Sequence, residues 1–308
     1  MKSPPLLVIA GPTATGKTTA AMVLADHFGG ELVGADSVQV YRGFDIGSAK
    51  PTAAELGTVS HRLIDVIDPD QEIDAAAYAA LADRAIKDIH GRARLPIVVG
   101  GTGLWIRALI RGLVEVPQVD PDLRKRLEAG AEAQGTEALH TRLAAVDPLT
   151  AEAVHPNDLV RIVRALEVYE QTGVPLGKLR QEHALGEPRY RAVFVVIDMD
   201  REQHDAVVTA RVQSMLDAGW VDEVRALRER WSDEVRPFGS VGYREVLAHL
   251  RDGVPLDETQ RLVRKSTRTY ARRQRTWFKG EPGVSWFSES AHLVEQDGRE
   301  RIARELEL

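Results

Sequence analysis

A glycine-rich segment near the start of the chain carries the clearest chemical pattern in the sequence. It matches the phosphate-binding pattern G-x-x-x-x-G-K-S/T in full, with the residues Gly11, Pro12, Thr13, Ala14, Thr15, Gly16, Lys17 and Thr18. In such a loop, backbone N–H groups surround a phosphate, the lysine contacts its outer oxygens, and the last hydroxyl is a ligand of Mg²⁺. We therefore predict a phosphate site with Lys17 as its cation and Thr18 as a magnesium ligand. The loop alone does not choose between kinases, nucleoside triphosphatases and other diphosphate-handling enzymes.

A carboxylate follows the second predicted strand. Asp36 opens the segment Asp-Ser-Val-Gln, directly after the strand predicted at 31–35. Ligands of open parallel sheets bind beyond the carboxyl ends of the strands, so we expect Asp36 to face the same crevice as Lys17. There it could accept a proton or hold Mg²⁺, directly or through water. An aspartate that only caps its own turn explains the pattern equally well, and both interpretations stay open.

A second glycine-rich turn follows the apolar run 95–99. Its sequence is Gly-Gly-Thr-Gly, and Thr102 is its single hydroxyl. Glycines allow backbone to approach a ligand closely, so Thr102 could reach a substrate at the same sheet edge. On spacing alone, a threonine that caps the following helix is the better interpretation.

Two groups of basic residues could contact an anionic partner. Arg161 and Arg164 share a face of an amphipathic helix expected over 158–173, where pairing with Glu167 and Glu170 is the favoured interpretation. The second group lies in a helix that Asp257 and Gln260 should cap and Gly280 should end. It forms one stripe, consisting of Arg261, Lys265, Arg268, Arg272, Arg275 and Lys279. Residues 264–279 contain seven basic side chains and no acidic one, which favours contact with a phosphate backbone.

Alternating strands and helices must position these side chains. Strands are predicted at 6–10, 31–35, 63–67, 95–99 and 191–198, and helices at 17–28, 74–90 and 104–111. Between residues 120 and 189 the periods are helical throughout. The predicted fold is therefore α/β, a P-loop parallel-sheet core with an inserted all-helical domain. We divide the chain into the first part of the core at 1–119, the helical insertion at 120–189, and the second part of the core at 190–308 with its basic helix.

Composition excludes several classes of protein. The 308 residues include no cysteine, so disulfides, thiolate metal sites and cysteine nucleophiles are excluded, as expected in a reducing cytoplasm. No signal peptide or membrane-spanning run is visible. The net charge is −6, so nucleic-acid binding would have to use a local patch. The nine histidines lack metal-ligand spacing. We expect a monomer, although the sequence does not fix the oligomeric state.

Taken in order, these motifs resemble those of the tRNA dimethylallyltransferases, also called tRNA isopentenyltransferases. The matching segments are 11–18, 36–41, 45–51, 100–104, 157–173, 242–245 and 267–278. The resemblance implies transfer of a dimethylallyl group from dimethylallyl diphosphate to the exocyclic amine of the adenosine beside the anticodon. It implies Mg²⁺ as cofactor, a loop that grips the donor's diphosphate, and the anticodon stem-loop of tRNA as partner.

The resemblance also assigns roles to residues. Asp36 aligns with the general base, Thr102 with the threonine beside the target adenosine, and Arg211 with an arginine that holds the diphosphate beside Lys17. The family's tRNA contacts fall on Asp36, Ser37, Val38, Gln39, Thr102, Arg124, Val160, Arg161, Ile162, Val163, Arg164, Gly242, Tyr243, Arg268, Arg272 and Arg275.

Three positions depart from the family pattern. Ser48 replaces a threonine, Trp105 a tyrosine, and Val160 a glutamine, which weakens one expected RNA contact. The chain also lacks the cysteine-rich zinc module of eukaryotic relatives and resembles the shorter bacterial form.

Three other functions compete with this one. An adenylate isopentenyltransferase would need neither the helical insertion nor the basic stripe. A small-molecule kinase would transfer phosphate from ATP, and a non-catalytic RNA-binding protein would not need Asp36 or Thr102.

Overall fold

Two compact units make up the computed structural model, which describes residues 5–184 and 188–308. The larger unit combines Met1–Ile110 with Arg189–Leu308, and the smaller unit is Arg111–Pro188. The chain thus leaves the first unit once and returns to it.

A six-stranded parallel sheet forms the centre of the larger unit. Its strands are β1 (Pro5–Ala10), β2 (Gly30–Ala35), β3 (His61–Arg62), β4 (Leu95–Gly100), β5 (Arg191–Ile197) and β6 (Val284–Phe287). They lie in the order β3-β2-β4-β1-β5-β6, and each neighbouring pair is parallel. Because parallel strands end at the same edge, the segments that follow β1, β2 and β4 are brought together. The predicted α/β class with a parallel-sheet core is confirmed.

Helices cover both faces of this sheet, which explains why β1, β2 and β4 are nearly continuous apolar runs. Before the smaller unit come α1 (Lys17–Phe28), α2 (Ala53–Thr58), α3 (Ala75–Gly91) and α4 (Gly103–Arg111). Gly29 ends α1 in the left-handed conformation, at φ 62°, and the Asp74 carboxylate caps α3. After the smaller unit, which holds the helices α5 to α9, come α10 (Arg201–Asp217), α11 (Trp220–Arg228), α12 (Tyr243–Asp252), α13 (Leu256–Lys279), α14 (Ser290–Val294) and α15 (Gln296–Leu306).

The smaller unit is helical throughout its described residues. Its helices are α5 (Pro121–Gln134), α6 (Thr136–Val146), α7 (Pro148–Ala153), α8 (Leu159–Thr172) and α9 (Leu176–Ala184). They share a core of their own, formed by side chains such as Leu127, Leu143 and Leu166. The unit begins at 111, before the expected 120, because Val116 in the extended segment before α5 already packs on this core.

Three local predictions were wrong. The third strand is His61–Arg62 instead of 63–67, since Leu63 turns the backbone into the left-handed region, at φ 62°. The pairing of β6 with β5 was missed. At the start of α13, Pro255 is the capping residue and no side chain caps the helix, so the proposed box of Asp257 and Gln260 does not form.

Among the helices of residues 5–184 and 188–308, none combines the length and the apolar content that crossing a membrane requires.

Candidate active site

The phosphate loop joins β1 to α1 and is held in a strained conformation. Gly11 has φ 149°, and a Cβ there would lie 2.2 Å from the carbonyl oxygen of Ile197. Ala14 and Gly16 are left-handed, with φ 65° and 76°. The Thr15 hydroxyl donates to the carbonyl of Pro12 at 2.9 Å, which closes the loop on itself. The sequence therefore needs glycine at its first position because β5 passes directly behind it.

Two half-buried cations line one small cavity beside this loop. Lys17 from α1 and Arg211 from α10 both line a cavity of about 80 Å³. Burial, reinforced by the positive charge of Arg211, lowers the pKa of Lys17 to about 8, and burial also lowers the pKa of Arg211. The Lys17 ammonium donates to the Pro12 carbonyl at 3.0 Å, but within the described chain no carboxylate lies within 4.0 Å of either nitrogen group. Since a partly desolvated charge without a counter-ion is costly, the pair is arranged to receive an anion.

Asp36 lines the same cavity and also holds its own turn. Its Oδ1 accepts hydrogen bonds from the N–H groups of Val38 at 2.9 Å and Gln39 at 3.2 Å. Its negative charge acts on both Lys17 and Arg211. The two interpretations of Asp36 are thus compatible, since one oxygen caps the turn while the residue faces the cavity.

Thr102 holds the segment that carries Asp36. Its hydroxyl accepts a hydrogen bond from the Ser37 N–H at 3.1 Å, and its own N–H donates to the Ala35 carbonyl at 3.1 Å. Thr102 does occupy the N-cap position of α4, because its carbonyl accepts from the Ile106 N–H at 3.2 Å, but its hydroxyl is bonded to the neighbouring strand end. Thr102 is thus hydrogen-bonded to the residues on both sides of Asp36, which are Ala35 and Ser37.

Three residues that the sequence did not single out contact this region. The Gln274 amide, 6% exposed, accepts from the Thr13 N–H at 2.8 Å and donates to the Gly101 carbonyl at 2.9 Å. Tyr270 lines the small cavity, where its side chain interacts with Thr102 and Gln274, and burial raises its pKa, with the charge of Asp36 adding to the effect. His204 contacts the phosphate loop, with its Nε2 2.9 Å from the Thr13 carbonyl.

A larger cavity of about 350 Å³ adjoins these residues. Its polar side includes Asp36, Ser37 and Arg211, and its apolar side is formed by residues of α10, α11 and α13. These are Val208, Val212, Met215, Trp220 and Val263. A ligand that is charged at one end and apolar at the other would match this lining.

Helix α11 joins two of the sequence motifs next to this cavity. A Cβ on Gly47 or Gly242 would lie 2.2 Å or 2.4 Å from the indole of Trp220, so both positions admit only glycine. Glu223 accepts hydrogen bonds from the backbone N–H groups of residues 45–47 at 3.0, 2.6 and 3.3 Å. It also accepts from the Tyr243 hydroxyl at 2.7 Å. The motifs at 45–51 and 242–245 are therefore structural partners.

Comparison with known proteins decides the family. The sequence model described as "IPP transferase" matches residues 39–281. A protein of Sorangium cellulosum named tRNA dimethylallyltransferase is 51% identical over 276 residues, covering 90% of this chain and 88% of its own length. One of the same name from Symbiobacterium thermophilum is 45% identical, with coverage of 98% and 93%. This chain belongs to the IPP transferase family.

Solved structures agree with this assignment. The tRNA isopentenylpyrophosphate transferase of Bacillus halodurans is 36% identical, with a TM-score of 0.73 over 99% of this chain and 97% of that one. A eukaryotic dimethylallyltransferase described as acting on tRNA is 26% identical, with a TM-score of 0.80, covering 98% of this chain and 78% of its own. The resemblance stated from the motifs is confirmed.

Three of the six basic residues in the stripe of this family member are paired with its own acids. Arg275 forms a two-pronged ion pair with Asp198, just after β5, with both distances 2.6 Å. Arg268 lies 3.0 Å from Asp205 on α10, and Arg261 pairs with Glu258. These acids lie outside residues 264–279, on other elements or in the preceding turn, so a segment without acids still has acidic partners.

Arg272 differs from the other arginines of the stripe. Its side chain is exposed, and it has no hydrogen bond or ion pair with any other described residue. Of the three arginines predicted to contact tRNA from this helix, Arg272 is the one free to do so.

In the helical unit, the arginines expected at tRNA are also partnered. Arg124 holds the buried Glu167 through two contacts of 2.8 and 3.0 Å, and Arg164 approaches the same carboxylate at 3.3 Å. Arg161 pairs with Asp158. Pairing of Arg164 with Glu167 agrees with the favoured interpretation, whereas Glu170 binds other arginines of this unit.

The remaining residues of the 160–164 segment divide by exposure. Val160 is 76% exposed, while Ile162 and Val163 lie in the core of the helical unit at 0% and 2%. The Val160 side chain can therefore contact RNA, whereas the side chains of Ile162 and Val163 cannot. Successive residues of a helix point in different directions, so Val160 lies on a different face of α8 from the other two.

The residues predicted to hold Mg²⁺ fit a site that a phosphate ligand completes. Thr18 and Asp36 line the same small cavity. No group of three or more metal-binding side chains occurs among the described residues. Mg²⁺ commonly uses one or two protein oxygens, with water and substrate phosphate as its other ligands, so a hydroxyl and a carboxylate beside a phosphate loop suit it.

Proposed function

We propose that this chain transfers the dimethylallyl group of dimethylallyl diphosphate to the exocyclic amine of the adenosine beside the anticodon of tRNA. One observation carries the proposal: two half-buried cations without an ion-paired carboxylate line, together with Asp36, a cavity that adjoins a larger and partly apolar one. A diphosphate would occupy the first part and a prenyl group with an acceptor base the second. The name of the relatives, tRNA dimethylallyltransferase, agrees with transfer of a dimethylallyl group to tRNA.

On the donor side, Lys17, Arg211 and the N–H groups of the loop would bind the diphosphate. As the bond between the allylic carbon and the diphosphate oxygen breaks, negative charge grows on that oxygen. Fixed cations in a site with little water stabilise such charge strongly. Bound Mg²⁺, held through Thr18 and Asp36, would supply further neutralisation of the diphosphate.

On the acceptor side, Asp36 would accept the proton that the amine loses as the new C–N bond forms. An aromatic amine is a weak nucleophile, so a positioned carboxylate helps. Oδ1 is fixed by two backbone N–H groups, while Oδ2 has no hydrogen bond within the described chain. The free oxygen is thus the one available to the amine. The base must leave its stack to reach it.

The acceptor is proposed to be an anticodon stem-loop, met in the cytoplasm and bound by a monomer. Among the described residues of the predicted contact set in the helical unit and α13, Arg272 and the exposed Val160 are the ones whose side chains no ion pair or core packing occupies. Gln39 would present its amide oxygen to the base, because its amide nitrogen donates to the carbonyls of Ser48 and Ala49 at 3.0 and 3.1 Å.

The direct test incubates the full chain with dimethylallyl diphosphate, Mg²⁺ and an anticodon stem-loop that carries adenosine beside the anticodon. We expect mass analysis to show one added five-carbon unit, and none on a matched stem-loop with guanosine at that position. Addition to free adenosine monophosphate instead would indicate an adenylate isopentenyltransferase. Phosphoryl transfer from ATP would indicate a kinase, and binding of the stem-loop without product would indicate an RNA-binding protein.

A further inference from the structure

A single buried amide connects the donor loop to the acceptor side of the site. Gln274 contacts Thr13 in the phosphate loop and Gly101 in the turn after β4, at 2.8 and 2.9 Å. The fit is close, because a Cβ on Gly101 would lie 2.1 Å from the Gln274 amide nitrogen. Both polar ends of the amide are therefore used, each by a different half of the site.

The connection continues through Tyr270, one helical turn earlier on α13. Its side chain interacts with those of Gln274 and Thr102 and lines the small cavity together with Asp36 and Gln274. Thr102 in turn accepts from the Ser37 N–H, next to Asp36, at 3.1 Å. A continuous set of polar contacts thus runs from the donor loop to the residue beside the proposed base.

We propose that Tyr270 and Gln274 are positioning residues that set the geometry between the donor diphosphate and Asp36. The inference rests on the proposed function and deepens it. Neither residue needs to touch a reacting atom. Gln274 fixes the loop against the β4 turn, and Tyr270 orients the Thr102 hydroxyl so that it holds Ser37 and therefore Asp36.

The physical reason for such a link is the sensitivity of bimolecular reactions to placement. A displacement of about 1 Å in a site can cost about 10²-fold in rate. The loop follows β1 and Asp36 follows β2, and these two strands are not neighbours, since β4 lies between them. Direct backbone pairing cannot fix their ends to each other, whereas a helix lying across both can.

Substitutions at Tyr270 and at Gln274 should change the kinetics in different ways. Tyr270→Phe removes one oxygen and leaves the loop contacts intact, so we expect kcat to fall about tenfold with little change in the KM for the donor. Gln274→Leu frees both Thr13 and Gly101, so it should also raise the KM for the donor. Gly101→Ala, which pushes on the amide from the other side, should resemble Gln274→Leu.

A double-mutant cycle with Thr102→Val separates positioning from simple packing. If Tyr270 acts through Thr102, Tyr270→Phe should lower the single-turnover rate by less than about twofold once Thr102 is changed. Tyr190→Phe is the matched control, because Tyr190 is buried, bonds Asp83 at 2.5 Å and lines neither cavity. It should lower the melting temperature without slowing the reaction.

The outcomes keep this inference apart from the proposed function. If the wild-type chain forms no prenylated stem-loop, the proposed function is wrong and the inference falls with it. If the wild type is active, full activity of Tyr270→Phe overturns the inference alone. So does an equal loss with and without Thr102, or an equal loss of rate in Tyr190→Phe. Should Tyr270→Phe unfold, Gly101→Ala with an unchanged donor KM would contradict the link.

Discussion

The small cavity lined by Lys17 and Arg211 and the basic stripe of α13 are both rich in positive charge, but they differ in whether that charge is paired with carboxylates. Lys17 and Arg211 are half-buried and have no carboxylate within ion-pair distance in the described chain. Arg268 and Arg275 are paired with Asp205 and Asp198. A cation that the fold has buried without neutralising it points to an anionic ligand. A paired cation mainly ties one element to another.

Desolvation makes the first arrangement costly, and the lowered pKa of Lys17 reports that cost. In the second arrangement the hydrogen bond with Asp198 outweighs desolvation and raises the pKa of Arg275. We expect function to depend on the unpaired cations and stability on the paired ones.

The largest effect is expected from Asp36→Asn. The amide keeps the shape of the side chain and one acceptor for the turn, but it cannot take a proton. Turnover should fall by about 10²–10⁴-fold, the usual range for a general base. Single-turnover rates with the stem-loop would measure this. Nearly normal turnover would reduce Asp36 to a turn residue.

Lys17→Ala should lower the efficiency of donor use by about 10²–10³-fold, because it removes one stabilising charge from the leaving group. Binding of the stem-loop, measured by filter retention, should hardly change. As a control, Arg275→Gln should leave donor kinetics close to normal. A loss of RNA binding as large as the loss of donor use would contradict a donor-side role for Lys17.

The lowered pKa of Lys17, about 8, predicts the pH dependence of donor use. In the free protein the lysine is charged below that pH and neutral above it, and the charged form binds diphosphate. The kcat/KM for the donor should therefore fall above about pH 8, approaching tenfold per pH unit. Lys17→Arg should lack this fall, because a guanidinium stays protonated. An identical profile in both proteins would assign the titration to another group.

The smallest effect concerns the basic face of α13. Arg272→Gln should weaken tRNA binding and reduce the slope of log affinity against log salt by about 0.7–0.9, the value for one phosphate contact. Arg275→Gln should lower the melting temperature instead, because it leaves Asp198 unpaired, and should leave the slope unchanged. The reverse pattern would show that tRNA displaces the ion pair of Arg275.

The sequence predicted well wherever a pattern is local. The strand, loop and helix around residues 5–28 and the helix between Asp158 and Gly173 were confirmed, with caps and ends close to those expected. Both segments contain an apolar pattern and a terminal glycine, and the second also begins with a capping carboxylate, Asp158.

Prediction was poor where the deciding partner is distant in the chain. The acids that neutralise Arg268 and Arg275 lie 63 and 77 residues away, so a charge count within 264–279 could not include them. Gln274 was missed because a lone glutamine in a basic helix has no signature, and its contact with Thr13 spans 261 residues. Ile162 and Val163 were predicted to contact tRNA because they lie in a segment that matches the family, but their side chains are buried and cannot reach RNA.

The indole of Trp220, enclosed by Gly47 and Gly242, has a consequence for redesign and for natural variation. The three residues share one space, so an alanine at Gly47 or Gly242 requires a smaller side chain at position 220. A smaller side chain at position 220 alone leaves a void beside the larger cavity. We expect these positions to mutate together among distant relatives. A designer who wishes to widen the chamber for bulkier prenyl groups should begin with this trio.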